Sequence, residues 1–240
     1  MARISIWDYP VRLFHWALTA CFFSALALAQ FAPEHSQGFD VHMLLGLVLI
    51  PLVLLRILWG FVGTKHARFS SFQLSPKAVF DYLAGILTMK GKRDVGHNPA
   101  TSWATFVMLG LILAIVVSGL LMGNGEVFEE GHGLLAYVCL AIVGVHVVGV
   151  FIHIFRHKEN IILSMFTGSK EGVEDEAIGS SRPFAAIAFL LLMGVCTTAI
   201  VRGYDRQARH VDIPVLGQSI QLGEGEGDRH DRNRRHHDDD

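Results

Sequence analysis

Charge is scarce in this chain. Asp, Glu, Lys and Arg make up 18% of its 240 residues, against 51% for the hydrophobic set. Soluble domains carry about a quarter of their residues as charges, so this balance excludes an ordinary water-facing surface and points to a protein that meets hydrocarbon. Cysteine is equally sparse: Cys21, Cys139 and Cys196 stand alone in separate apolar runs with no CxxC pair. That excludes a disulfide framework and a covalently attached c-type haem, and leaves the three thiols as small packing residues. The net charge of −2 is close to zero and says nothing about nucleic acid or acidic partners. No tandem repeat, phosphate-binding glycine loop, paired carboxylates or nucleophile set is present either.

What is present is length of apolar run. Five such stretches, at about 13–31, 41–62, 103–122, 134–155 and 184–201, each approach the roughly 20 residues a helix needs to cross a bilayer. Arg3 and Arg12 followed by Ala27-Leu28-Ala29 imitate a signal peptide, but the run is long for one and carries His15 beside Trp16, so it reads as a permanent span. Segments 32–40 and 123–131 contain no Lys or Arg, whereas 65–93 carries six and 156–182 carries four. The positive-inside rule therefore places the amino terminus and both basic loops in the cytoplasm.

Ser181 and Pro183 read as the cap and first turn of the fifth span, although that span sends Arg202, Arg206 and Arg209 outward. Between the second and third spans, Ser75-Pro76 precedes a stripe of Val79, Phe80, Leu83, Ile86 and Leu87, which predicts an amphipathic helix at the membrane interface or packed on the bundle. The last stretch, 223–240, mixes charge and glycine without an apolar anchor and is expected to be disordered.

The chemistry lies in the histidines. His15, His42, His132, His146 and His153 fall in or at the ends of the apolar runs, where an ionisable group is costly and marks function. His132 and His146 are fourteen residues apart, close to four whole turns and about 21 Å, so both leave the fourth span on one face near opposite leaflets. His15 enters the first span at the inner level and His42 enters the antiparallel second span at the outer level. The pairs His15 with His146 and His42 with His132 follow, and two trans imidazoles close the coordination of a haem iron, which suits one-electron transfer.

Zinc, which wants four ligands close together, fits two separated levels poorly. His153 stands as an alternative to His146 or as an interfacial histidine with its ring at the polar boundary. Gly46, Gly133, Gly144 and Gly149 near the ligands make room for a flat macrocycle or for close helix packing. Arg12 and Arg56 are candidates for haem propionates or for snorkelling to the interface, and Pro51 is expected to kink the second span.

These residues resemble the prokaryotic cytochrome b561 and nickel–iron hydrogenase b-type cytochrome family. The resemblance runs from about Ile6 to Gly168. It rests on Trp7-Asp8-Tyr9-Pro10-Val11-Arg12-Leu13-Phe14-His15-Trp16, on His42 with Gly46, and on Arg56-Ile57-Leu58-Trp59-Gly60-Phe61-Val62-Gly63. Gly96-His97-Asn98-Pro99 and His132 and His146 with Lys158-Glu159-Asn160 complete it.

The resemblance implies an all-α integral membrane four-helix diheme bundle with axial ligands at His15, His42, His132 and His146, and here a fifth transmembrane helix is added. It also implies electron exchange between the quinone pool and a periplasmic cytochrome c or hydrogenase-like protein, with a homodimer as a further option. Gly96-His97-Asn98-Pro99 reads either as the border of an inner quinone site or as a capped helix start. The expected organisation is a diheme unit over 1–168, a cytoplasmic linker at 169–182, an added span at 183–202 and an unstructured tail at 203–240, in a bacterial inner membrane. A metal permease using these histidines and the tail residues His210, His230, His236 and His237, or a haem-free anchor for a partner enzyme, are the competing readings.

Overall fold

The computed structural model describes residues 2–33, 36–88, 96–122, 125–207, 210–213 and 218–221. Among them five helices are long and apolar enough to cross a membrane: α1 (Tyr9–Phe31), α2 (Gln37–Val62), α4 (Pro99–Leu120), α5 (Glu126–His157) and α7 (Pro183–Gly203). Their starts follow from local chemistry. The Asp8 carboxylate accepts from Val11 N at 2.9 Å and Pro10 fills the first turn of α1. Ser36 Oγ accepts from Phe39 N at 3.2 Å at the head of α2, and Asn98 Oδ1 accepts from Thr101 N at 2.8 Å ahead of Pro99 in α4. At α7 the expected cap differs: Arg182, in the left-handed region at φ 56°, precedes Pro183, while the Ser181 carbonyl accepts from Tyr9 N at 3.0 Å and so ties the fifth helix to the first.

The amphipathic segment is α3 (Pro76–Leu87), with Phe80 79% and Leu83 48% exposed, as a helix lying on lipid requires. Arg156 at the end of α5 donates to the carbonyls of Gly85 at 2.9 Å and Ile86 at 3.1 Å, which fastens α3 beneath the bundle. Pro51 lies inside α2, whose helix runs unbroken from 37 to 62. The main core joins Phe14, Leu49, Leu52, Val53, Leu109, Ile112, Val116 and the free thiol of Cys139 from α1, α2, α4 and α5. α5 packs closely along α4 but stands off from α1 and α2.

Two small antiparallel sheets close the ends, and neither was expected. On the amino-terminal face β1 (Ala2–Ser5) pairs with β2 (Ser169–Gly172), from Ala2 opposite Gly172 to Ser5 opposite Ser169. The stretch expected to be a linker is therefore a structural strand. It follows the short α6 (Ile161–Thr167), which ends at Gly168 with φ 80°, where an added Cβ would lie 2.8 Å from the Trp7 carbonyl.

On the opposite face β3 (Tyr204–Asp205), β4 (His210–Ile213) and β5 (Gln218–Gln221) form a three-stranded sheet. The tail expected to lack structure from 203 is thus ordered through these strands. The reason is Val211, fully buried against Leu47, with Arg206 holding Asp40 at 3.1 Å. Residues 222–240, including His230, His236 and His237, lie outside the described residues. His210 sits on β4, 3.4 Å from Asp212.

Candidate functional site

The structure brings His42 and His132 together. Their ring centroids are 6.1 Å apart and their planes cross at 83°. Two imidazoles that share one metal, each bound at about 2 Å, have centroids separated by about this distance. Both rings are held from behind. His42 Nδ1 donates to the Ala25 carbonyl of α1 at 2.8 Å, and His132 Nδ1 donates to the Ile115 carbonyl of α4 at 2.9 Å. Each bond fixes the proton on Nδ1 and leaves the Nε2 lone pair free, the arrangement by which proteins orient histidine ligands. Gly119 on α4 makes the approach of His132 feasible, because a Cβ there would lie 3.1 Å from the ring. Sequence reasoning did not single out Gly119; only its place one helix away from His132 shows its use.

The second pair lies toward the amino-terminal face. His15 on α1 is within electrostatic reach of His146 on α5, its ring edge-on to Trp16 at 5.0 Å, and its Nδ1 is buried without a hydrogen-bond partner. A buried ring nitrogen in that condition is the kind of atom a bound group satisfies. Cβ atoms added at Gly46, Gly133, Gly144 or Gly149 would meet nothing within 4 Å, so these glycines adjoin space rather than a packed neighbour. α5 stands off from α1 and α2, and paired imidazoles are a donor set that fits the iron of a haem. Among the described residues no three His, Cys, Asp or Glu side chains gather as a metal site.

His153 is enclosed at the end of α5. It is 7% exposed, with Nε2 3.3 Å from Glu159 Oε2, and Lys170 of β2 approaches the same carboxylate at 3.8 Å. Lys158, left-handed at φ 52°, turns the chain so that Glu159 folds back onto α5. His153 is thereby an anchor for the β1–β2 face. Arg12 is likewise engaged: Nε donates to Met165 O at 3.2 Å and Nη2 donates to Phe166 O, the last carbonyls of α6.

Asn98 behaves as a cap, and its Nδ2 also donates to the Tyr82 hydroxyl of α3 at 3.0 Å. His97 beside it lies between Trp7 at 5.0 Å and Phe72 at 4.5 Å, with Nε2 buried and unpartnered. Burial first, and then the charge of Arg56, push His97 down to about 3, so its imidazole is neutral at physiological pH. The nearby His66 donates from Nε2 to the Glu176 carbonyl at 2.7 Å and is also shifted down, chiefly by burial.

The sequence model described as prokaryotic cytochrome b561 matches residues 6–168. The chain belongs to that family. The cytochrome is accordingly a multi-pass membrane protein of the haem-binding, electron-transport type, and its family implies haem of the b type. Among its relatives is the probable Ni/Fe-hydrogenase B-type cytochrome subunit of Rhizobium leguminosarum bv. viciae, 26% identical over 70% of this chain and 88% of that protein. The protein of the same name from Bradyrhizobium diazoefficiens is 28% identical over 55% of this chain and 60% of its own length. The probable Ni/Fe-hydrogenase 1 B-type cytochrome subunit of Escherichia coli K12 is 23% identical over 48% and 57%. The cytochrome thus spans less than two thirds of the latter two. No solved structure gives a significant match to it.

Proposed function

We propose that the cytochrome carries two haems b, one ligated by His42 and His132 and the other by His15 and His146, and passes electrons between quinone and a redox protein at the opposite membrane face. The observation that carries this reading is the His42–His132 pair, 6.1 Å apart with both Nδ1 atoms committed to backbone carbonyls. When bound, each haem supplies a one-electron couple whose iron has no open position, so the reaction is transfer and not oxygen chemistry.

The chain's own contribution is placement. α5 bears His132 and His146 about 21 Å apart along its axis, which spaces the two centres across the bilayer. Ala25 and Ile115 hold the rings in one tautomer, and the apolar helices keep water from the ligands. Lys65, Arg68, Lys77, Arg156, Lys158 and Lys170 cluster on the amino-terminal face, which we assign to the cytoplasm of a bacterial inner membrane. The His42–His132 pair is then periplasmic. A hydrogenase is the partner that the relatives' names suggest, and a periplasmic cytochrome c is the other of suitable chemistry. Quinone would exchange electrons at the cytoplasmic pair, beside His97 and Asn98. In this organisation residues 1–168 bear the haems, and 183–202 add a helix that packs on α1 and α2.

A reduced-minus-oxidised spectrum with haem extraction from the purified chain tests the reading directly. The expected result is a b-type band and about two haems per chain; a haem-free chain, or one haem that survives alanine at His42 and His132, removes it. A finer expectation concerns Gly119. Valine there presses on the His132 ring and should weaken retention of the periplasmic haem by about 10- to 100-fold, as outer support residues commonly do, leaving the other haem in place. Equal retention of both haems in Gly119→Val would show that the close approach is incidental.

A further inference from the structure

Arg56 is a buried cation in search of an anion. It lies on α2 fourteen residues after His42, the same spacing that separates His132 from His146, and so falls at the level of His15 and His146. It is 3% exposed, its Nη1 has no hydrogen-bond partner, and its guanidinium is flanked by the rings of Phe69 at 5.1 Å and Phe14 at 5.8 Å. Asp8 reaches it electrostatically, but both Asp8 oxygens are committed: Oδ1 to Val11 N, and Oδ2 to Trp59 Nε1 and Thr64 Oγ1. Buried guanidinium groups are stable when paired, and their planar fork matches a carboxylate.

A second unsatisfied polar atom lies close by. His97 Nε2 is buried without a partner, and the ring is within electrostatic reach of both Arg56 and His146. Arg12, the other arginine that the sequence offered for a propionate, has its fork on the carbonyls of α6. We propose that Arg56, with His97 beside it, receives a propionate carboxylate of the haem held by His15 and His146. This rests on the haem reading above. A lipid phosphate offers similar oxyanion chemistry, since Arg56 also borders an apolar groove of about 180 Å³ with Phe14, Trp59, Ala188 and Phe189 between α1, α2 and α7. Proximity to His97, which is itself within electrostatic reach of His146, favours the propionate.

Spectroelectrochemical titration of the purified full chain in detergent tests the assignment, with the haem lost from His146→Ala marking the relevant tier. In Arg56→Gln that haem's midpoint potential should fall, because a lost positive charge favours ferric iron, while the other haem stays unmoved and Arg56→Lys recovers most of the shift. Selective loss of that haem in Arg56→Gln, restored by Arg56→Lys, carries the same meaning. Both haems bound at unchanged potentials overturn the proposal, as does phosphate analysis in which Arg56→Gln sheds a co-purifying phospholipid while the potentials hold. If Arg56→Gln does not fold, haem-depleted wild type reconstituted with haem dimethyl ester serves instead: reduced occupancy in that tier, or a potential raised there by more than in the other tier, supports the assignment, and two tiers changed alike refute it. A wild-type chain without haem would overturn the parent reading and this one with it.

Discussion

His146→Ala is expected to leave a chain with one haem, and His15→Ala to leave the same one. His42→Ala and His132→Ala should each retain the other. The expectation follows from pairing: a bis-histidine haem that loses one axial ligand keeps a single bond to the protein and readily dissociates, whereas the pair about 21 Å away on the same helix is untouched. Optical spectra of the four purified variants, with the residual haem's potential in each, check it. The informative control is His153→Ala. Because His153 is bound to Glu159 at 3.3 Å, its loss should disturb the β1–β2 face and leave both haems in place. Two haems in His146→Ala together with one in His153→Ala would mean that the lower ligand has been misassigned.

The second large effect is on stability. Asp8 is fully buried and accepts three hydrogen bonds: from Val11 N at 2.9 Å, Trp59 Nε1 at 3.0 Å and Thr64 Oγ1 at 2.7 Å. One carboxylate thus caps α1, holds the end of α2 and pins the turn that follows. Alanine would remove the helix cap, at about 0.5–2 kcal/mol, and leave buried donors unpaired, at about 1–3 kcal/mol each. The terms overlap, so about 3–5 kcal/mol is the expected loss, read as a lower unfolding temperature in detergent with release of the haem nearest Arg56. Asp8→Asn keeps the cap but turns an amide NH₂ toward two donors, and should fall between alanine and wild type. An Asp8→Ala chain as stable as wild type would show that water or detergent replaces the three bonds.

The parts of this architecture that repeat locally were legible in the sequence. Apolar length announced five spans, the stripe from Val79 to Ile86 announced α3, and the fourteen-residue spacing of His132 and His146 announced two levels on one helix. Ties between distant segments were not. Ala-Arg-Ile-Ser at the start carries no sign that it will pair with Ser-Lys-Glu-Gly beginning at Ser169, since a four-residue strand has too few alternations to stand out. Val211 and Ile220 fall in a stretch expected to lack structure, because what orders them is the flank of α2. The partner of His153 was hidden for the same reason: Glu159 lies beyond the helix end, reached only through the left-handed turn at Lys158. In the quoted Trp7-Asp8-Tyr9-Pro10 motif the carboxylate's three bonds depend on Trp59 and Thr64, far along the chain.

The β1–β2 pairing has a consequence for biosynthesis. Ala2 precedes all five spanning helices, whereas its partner Gly172 is made only after four of them. β1 must therefore wait unpaired while those four helices are made, and its zipping to β2 is a late, long-range closure. A chain trimmed at residue 168, where the family match ends, would keep every proposed iron ligand and still lose the latch that joins its first residues to its last inner strand.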